Sequence, residues 1–168
     1  MVTIKPIAVI TACMVVITSV LSIKGNLPFE EWNDERRAVT ACMSVEDFIF
    51  ISSVVEAESN RCTDSTEGRR YIALVILNRV NDERFPDTIS GVLNQSGQFS
   101  TVRNGQSVTG RTDLSDLAVV EAVEWLETGE APTDLLFFNC RGYNYGTPYP
   151  NPNGGNTIGG NYFMRLEA

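Results

Sequence analysis

The sequence predicts an α+β domain, mainly helical with a small antiparallel β part. Helical periodicity runs through residues 44–58, 67–81 and 113–128. An Asn104-Gly105 turn signal separates two short strand-forming runs, and Leu135 to Asn139 and Thr157 to Met164 read as further strands. Helices followed by a few short strands form an α+β arrangement rather than a parallel α/β one. With 43% hydrophobic residues in 168, the chain suits one modest globular domain plus an N-terminal segment.

That segment comes first. Ile7 to Ile23 is apolar apart from Thr and Ser, with Lys5 before it and Lys24 after it. It reads as a signal peptide or a short membrane anchor, being long for the former and minimal for the latter. Residues 1–24 are therefore assigned to export or anchoring, 25–43 to a polar linker and 44–168 to the domain. The domain is expected outside the cytoplasm, secreted or tethered.

Ser44 and Asp47 cap a helix that runs to about Glu58. From about Glu67 to Asn81 a second helix is apolar nearly all round between Tyr71 and Leu77, as a helix at the domain centre must be. Thr88 to Asn94 reads as a short helix capped by Asp87. Gln98 to Val102 and Gln106 to Thr109 flank the turn as a hairpin. Asp113 to Thr128 alternates apolar and acidic residues at helical spacing and stops at Gly129. Between the last two strands, Arg141 to Asn156 lacks periodicity, which marks a functional or mobile connection.

Composition removes several chemistries. There is no histidine, which excludes the usual Ser-His-Asp and Cys-His catalysis and His-ligated zinc within this chain; it also leaves Cys62 and Cys140 without an activating imidazole. Thirteen basic against 21 acidic side chains give a formal charge of −8, which argues against nucleic acid or anionic lipid as partner. Outside the apolar segment lie Cys42, Cys62 and Cys140, enough for one disulfide. Cys62 with Cys140 is the favoured pair, three reduced thiols the alternative.

Glu58 is the candidate acid. At about 100° per residue, Phe48, Ile51, Val54 and Val55 form one stripe, and Glu58 projects between the directions of Ile51 and Val54. Glu56 points away, toward the side of Ile49, Ser52 and Ser53. Apolar surroundings penalise the charged form of a carboxyl, which suits a general acid at a glycosidic oxygen. A solvated Glu at a frayed helix end is the competing reading.

The ordered set Val54-Val55-Glu56-Ala57-Glu58, Glu67-Gly68, Ala73-Leu74-Val75-Ile76-Leu77-Asn78-Arg79-Val80, Arg84-Phe85-Pro86-Asp87-Thr88-Ile89-Ser90-Gly91-Val92, Gly97-Gln98-Phe99-Ser100, Leu136-Phe137-Phe138-Asn139 and Ile158-Gly159-Gly160-Asn161-Tyr162-Phe163 resembles the catalytic domain of the spore-cortex-lytic cell-wall hydrolases, the SleB family. The resemblance implies a lysozyme-like, transglycosylase-like single domain with its acid at Glu58. It further implies cleavage of peptidoglycan glycan strands between N-acetylmuramic acid and N-acetylglucosamine, commonly as a lytic transglycosylase leaving 1,6-anhydro ends, in spore cortex lysis or wall remodelling. No metal or organic cofactor is required. A hydrolytic muramidase and a wall-binding module without turnover are the alternatives.

The same resemblance points to Gln98 and Asn139 as amides facing the cleft, and Asn161 stands where the family commonly has a histidine. Phe99 and Tyr143, with Tyr145, are candidates for stacking on sugars, Phe99 also for the core. Glu67, the rival acid, sits where a helix-start role is expected, and Asn78 and Arg79 read as structural hydrogen-bonders in the buried helix. The family's Glu-Ala-x-Gly-Glu is represented by Glu58-Ser59-Asn60-Arg61-Cys62, so its glycine and second acid are missing.

Overall fold

The computed structural model describes residues 43–59, 66–103, 105–107, 110–143 and 146–166. The expected signal or anchor segment, almost all of the linker, Cys62 and Tyr145 lie outside them. Among the described residues no helix is long and apolar enough to cross a membrane.

Three long helices form where the periodicity placed them: α1 (Val45–Ser59), α2 (Thr66–Asn81) and, after a short α3 (Ile89–Leu93) and a hairpin of β1 (Val102–Arg103) with β2 (Gln106–Ser107), α4 (Asp113–Glu127). The strands β3 (Leu135–Asn139), β4 (Thr147–Tyr149) and β5 (Tyr162–Arg165) complete the chain. They form an antiparallel sheet in the order β3-β5-β4.

Helix α2 is the axle of the domain. Every residue from Tyr71 to Arg79 is buried, and the helix packs against α3, α4 and β3. Two of its polar residues latch the sheet. Asn78 Nδ2 donates to the Pro132 and Leu135 carbonyls, each at 2.9 Å, and Arg79 Nε donates to the Leu136 carbonyl at 2.7 Å. The Arg79 guanidinium lies 5.1–5.5 Å from the ring centres of Phe85, Phe99 and Phe137. Burial draws its pKa down to about 10, which still leaves it charged at neutral pH.

The ends of the elements depart from expectation in instructive ways. Thr88 rather than Asp87 caps α3, its hydroxyl accepting from the Gly91 N–H at 3.0 Å. Helix α4 starts with a reciprocal Thr112–Ser115 capping box and ends at Glu127, followed by Gly129 at φ 73°. The first hairpin strand is shorter than expected, because the Gln98 and Val102 N–H groups close local turns onto the Gln95 and Phe99 carbonyls; residues 108 and 109 of the second lie outside the described residues.

Arg141 to Asn156 is not wholly irregular. It contributes β4 at the sheet edge, where Pro148 is tolerated because an edge strand can lack one donor. Thr157 to Met164 is a turn before it is a strand: Ile158 and Asn161 exchange backbone hydrogen bonds at 2.9 and 3.1 Å around Gly159 and Gly160. Both glycines have positive φ, 55° and 81°, the geometry of a tight two-residue hairpin.

This turn also explains Gly68. A Cβ on Gly68 would lie 2.7 Å from the Gly159 Cα, so the first turn of α2 and the Gly159-Gly160 turn touch backbone to backbone. Neither side has a flexible group that can yield. Gly68→Ala is expected to destabilise the domain by about 1–3 kcal/mol, the cost of overpacking a filled site. Thermal melts should show a drop of several degrees, with Gly110→Ala, whose Cβ meets nothing within 4 Å, as the unperturbed comparison.

Candidate active site

Glu56 and Glu58 are two residues apart on α1, and two residues turn an α-helix by about 200°. Their carboxyls leave the helix on nearly opposite sides. Glu58 is half-buried and meets the turn before β1, where the Thr101 hydroxyl donates to its Oε1 at 2.6 Å. Thr101 is itself buried. The hairpin is held to the same helix further back by Ser107 Oγ, which donates to the Ser53 carbonyl at 3.1 Å.

Glu56 has a different environment. It is 6% exposed, and Arg69 grips it with two hydrogen bonds, Nε to Oε2 at 3.0 Å and Nη2 to Oε1 at 3.1 Å. The Thr112 hydroxyl donates to Oε2 at 2.7 Å. Burial pushes this carboxyl up, but hydrogen bonds from Arg69 and Thr112, together with the Arg69 charge, outweigh it and hold Glu56 below its ordinary value. The face carrying Ser52, Ser53 and Glu56, expected to turn away from the apolar stripe, is therefore buried too.

Glu56-Ala57 also supplies the Glu-Ala pair of the Glu-Ala-x-Gly-Glu motif, so motif alone does not separate the two acids. Geometry does. A carboxylate withdrawn from solvent into a two-pronged ion pair has neither a proton to give nor access to a substrate oxygen. Glu58 has an open side and a hydroxyl that orients it.

Phe99, Asn139 and Tyr143 follow from Thr101 through chain neighbours, ring contacts and strand pairing. Two residues before Thr101, the Phe99 ring lies 6.4 Å from Phe138. Beside Phe138, Asn139 pairs with Tyr162 across β3 and β5. The Tyr162 ring in turn meets Tyr143 edge-on at 4.9 Å.

Their exposures differ. Gln98 is exposed, and Asn139 and Tyr143 are half-buried. Asn139 Oδ1 accepts from the Arg141 N–H at 2.7 Å, and the Tyr143 hydroxyl donates to the Asn156 carbonyl at 2.9 Å. Phe99 is 5% exposed beneath Arg79, so its ring belongs to the core and has no open face for a sugar. Asn161 is 2% exposed, its backbone committed to the glycine turn. Glu67, at the exposed start of α2, accepts from Asn153 Nδ2 at 3.0 Å. Cys140 carries a free, exposed thiol, contrary to the expected bridge with Cys62.

A polar hollow of about 240 Å³ lined by Asn78, Asn81, Asp82 and Thr133 lies at the far end of α2 from Arg69. Its one acid is engaged, Asp82 taking two hydrogen bonds from the Arg84 guanidinium at 2.6 and 2.8 Å.

Sequence reasoning missed Thr101, Arg69 and Thr112. Arg69 had a signal: an arginine on an otherwise apolar central helix needs a buried acceptor, whether carbonyl or carboxylate. Thr101 and Thr112 carried none beyond standing next to a motif and before a helix.

Comparison with known proteins identifies the family and the fold. The family described as Cell Wall Hydrolase matches over residues 63–164, a span that begins after both acids. The spore cortex-lytic enzyme of Oceanobacillus iheyensis is 40% identical over 97 residues, covering 57% of this chain and 33% of that protein. That of Bacillus subtilis is 36% identical over 74 residues, 44% of this chain and 23% of that protein. The matched part of the chain thus spans about a third or less of these curated relatives. The crystal structure of the catalytic domain of the Bacillus cereus SleB protein superposes with a TM-score of 0.52 at 26% identity, covering 73% of this chain and 91% of that one. The expected lysozyme-like α+β domain is the observed fold.

Proposed function

From the premise that this chain belongs to the cell wall hydrolase family, we propose that it cleaves peptidoglycan glycan strands between N-acetylmuramic acid and N-acetylglucosamine, with Glu58 as general acid and base. The observation that carries this reading is the half-buried Glu58 carboxyl at the end of α1, oriented by the Thr101 hydroxyl at 2.6 Å. Protonated Glu58 gives its proton to the glycosidic oxygen as the C1–O bond breaks. The resulting carboxylate then takes the proton of the muramic acid 6-hydroxyl as that oxygen closes onto C1, leaving a 1,6-anhydro end without water.

A single-acid transglycosylase is favoured over a two-carboxylate hydrolase. The carboxylate two residues away, Glu56, is committed to Arg69 and Thr112, and Glu67 is engaged by Asn153. Gln98, Asn139 and Tyr143 offer amide and phenol groups for N-acetyl and hydroxyl contacts, and the polymer is spore cortex or vegetative wall. The reading places the domain outside the cytoplasm, delivered or tethered by the N-terminal apolar run.

Mass spectrometry of fragments released from purified cortex and vegetative peptidoglycan tests it. Anhydro-ended muropeptides are expected. Reducing ends would replace the mechanism by a muramidase, and sedimentation with the wall without release would identify a binding module. Thr101→Val should lower turnover about tenfold, about 1.4 kcal/mol, because the hydrogen bond that orients the Glu58 carboxyl is lost. Initial rates of muropeptide release measure this.

A further inference from the structure

We propose that the buried Glu56–Arg69 pair, tied to Thr112, is a positioning device that sets the rotation of α1 about its axis and thereby the placement of the Glu58 carboxyl. The inference rests on Glu58 being the acid, as proposed above. It assigns Glu56 a role that is neither acid nor substrate contact.

Glu58 is one residue from the end of α1, where backbone hydrogen bonding thins out and helices fray. An acid at such a position needs something else to hold it. The last turn is gripped from two sides. On one, Thr101 meets Glu58 and Ser107 meets the Ser53 carbonyl. On the other, Arg69 and Thr112 fasten Glu56.

The two grips differ in kind. Thr101 holds one oxygen through one rotatable hydroxyl. Arg69 holds both oxygens of Glu56 through a planar fork, which fixes direction as well as distance. Thr112 is the N-cap of α4, so the same carboxylate couples α1 to the start of a third helix. Ser59 Oγ adds a bond to the Glu56 carbonyl at 2.8 Å, closing the final turn on itself.

The geometry makes this grip consequential. With a helix radius including side chains of about 5–6 Å, a rotation of about 10° displaces a carboxyl at the rim by about 1 Å. A displacement of about 1 Å at a reacting group can cost about 100-fold in rate. A small loss of rotational definition at Glu56 is thus amplified at Glu58, which leaves the helix on nearly the opposite side.

The test uses the full chain and muropeptide release with kcat and KM separated, beside melting curves. Glu56→Gln keeps the shape of the side chain and removes its charge; Arg69→Lys keeps the charge and removes the fork. Both are expected to lower kcat by about 10- to 100-fold with KM within about twofold. If Glu56→Gln does not fold, the double variant Glu56→Met/Arg69→Met replaces the pair by apolar side chains of similar volume, a change buried pairs often tolerate. It should fold and show the same kcat loss.

Wild-type kcat in a folded Glu56→Gln or in the double variant would overturn the positioning role and leave Glu58 as the acid. Abolished turnover in folded Glu56→Gln with activity surviving in Glu58→Gln would make Glu56 the acid and overturn both readings. A wild-type chain that releases nothing would remove the proposed activity, and this inference with it.

Discussion

Glu58→Gln is expected to lower glycan cleavage by about 100- to 10,000-fold, the range that general acid–base catalysis supplies. The amide has the size and shape of the carboxyl but no proton to deliver to the leaving oxygen. Its carbonyl oxygen can still accept from Thr101, whose hydroxyl sits at 2.6 Å in the native protein. Glu58 is half-buried and makes no ion pair among those of the described residues, so the melting temperature should stay within a few degrees of wild type. Release assays read the first effect and thermal melts the second. A folded Glu58→Gln protein with native turnover would remove Glu58 as the acid.

Arg69→Met is expected to have the largest effect on stability. It leaves Glu56 buried with Thr112 as its remaining side-chain donor, and breaking one side of a buried pair costs about 3–5 kcal/mol. The pH dependence separates this mechanism from ordinary loss of packing. In the wild type, the folded pKa of Glu56 lies below its unfolded value. The contribution of the pair is therefore fully present above the unfolded carboxyl pKa, about 4.3, and is lost as the pH falls through the folded value. In Arg69→Met, desolvation acts on Glu56 without the opposing charge, so protonation relieves the variant as the pH falls. The stability gap between the two proteins should shrink from pH 7 toward pH 4. Denaturant unfolding at several pH values measures it; a gap independent of pH would mean that the loss comes from packing alone.

The parts of this fold that could be read from the chain are those that local physics specifies. Tyr71 to Arg79 could only be a central helix, because no exposed face remains in the pattern, and all nine residues are buried. Leu135 to Asn139 appears as a strand with the expected ends. Gly129 stops α4 through its positive φ, and the Asn104-Gly105 signal marks a true hairpin. Capping was less legible. Asp87 and Thr88 are both good caps, and only the backbone at 88 has the extended geometry that lets its side chain reach the Gly91 N–H. The strand β4 was hidden because Thr-Pro-Tyr becomes a strand only when β5 offers it an edge.

The candidate site divides along the same line. Periodicity placed Glu58 and Glu56 on different sides of α1, and that much was settled by 100° per residue. Which acid is open and which is locked was decided by groups far along the chain: Arg69 at 13 residues from Glu56, Thr112 at 56, and Thr101 at 43 from Glu58. The pattern within one helix states directions, not what approaches from them. Phe99 was read both as a sugar platform and as core, and the Arg79 guanidinium arriving from α2 over its buried ring bears out the core reading. The sequence by itself determined where the helices run and which residues flank the end of α1. Tertiary structure decided the partners and accessibility of each carboxyl, because those depend on groups and solvent at a point in space, supplied by residues that only folding brings there.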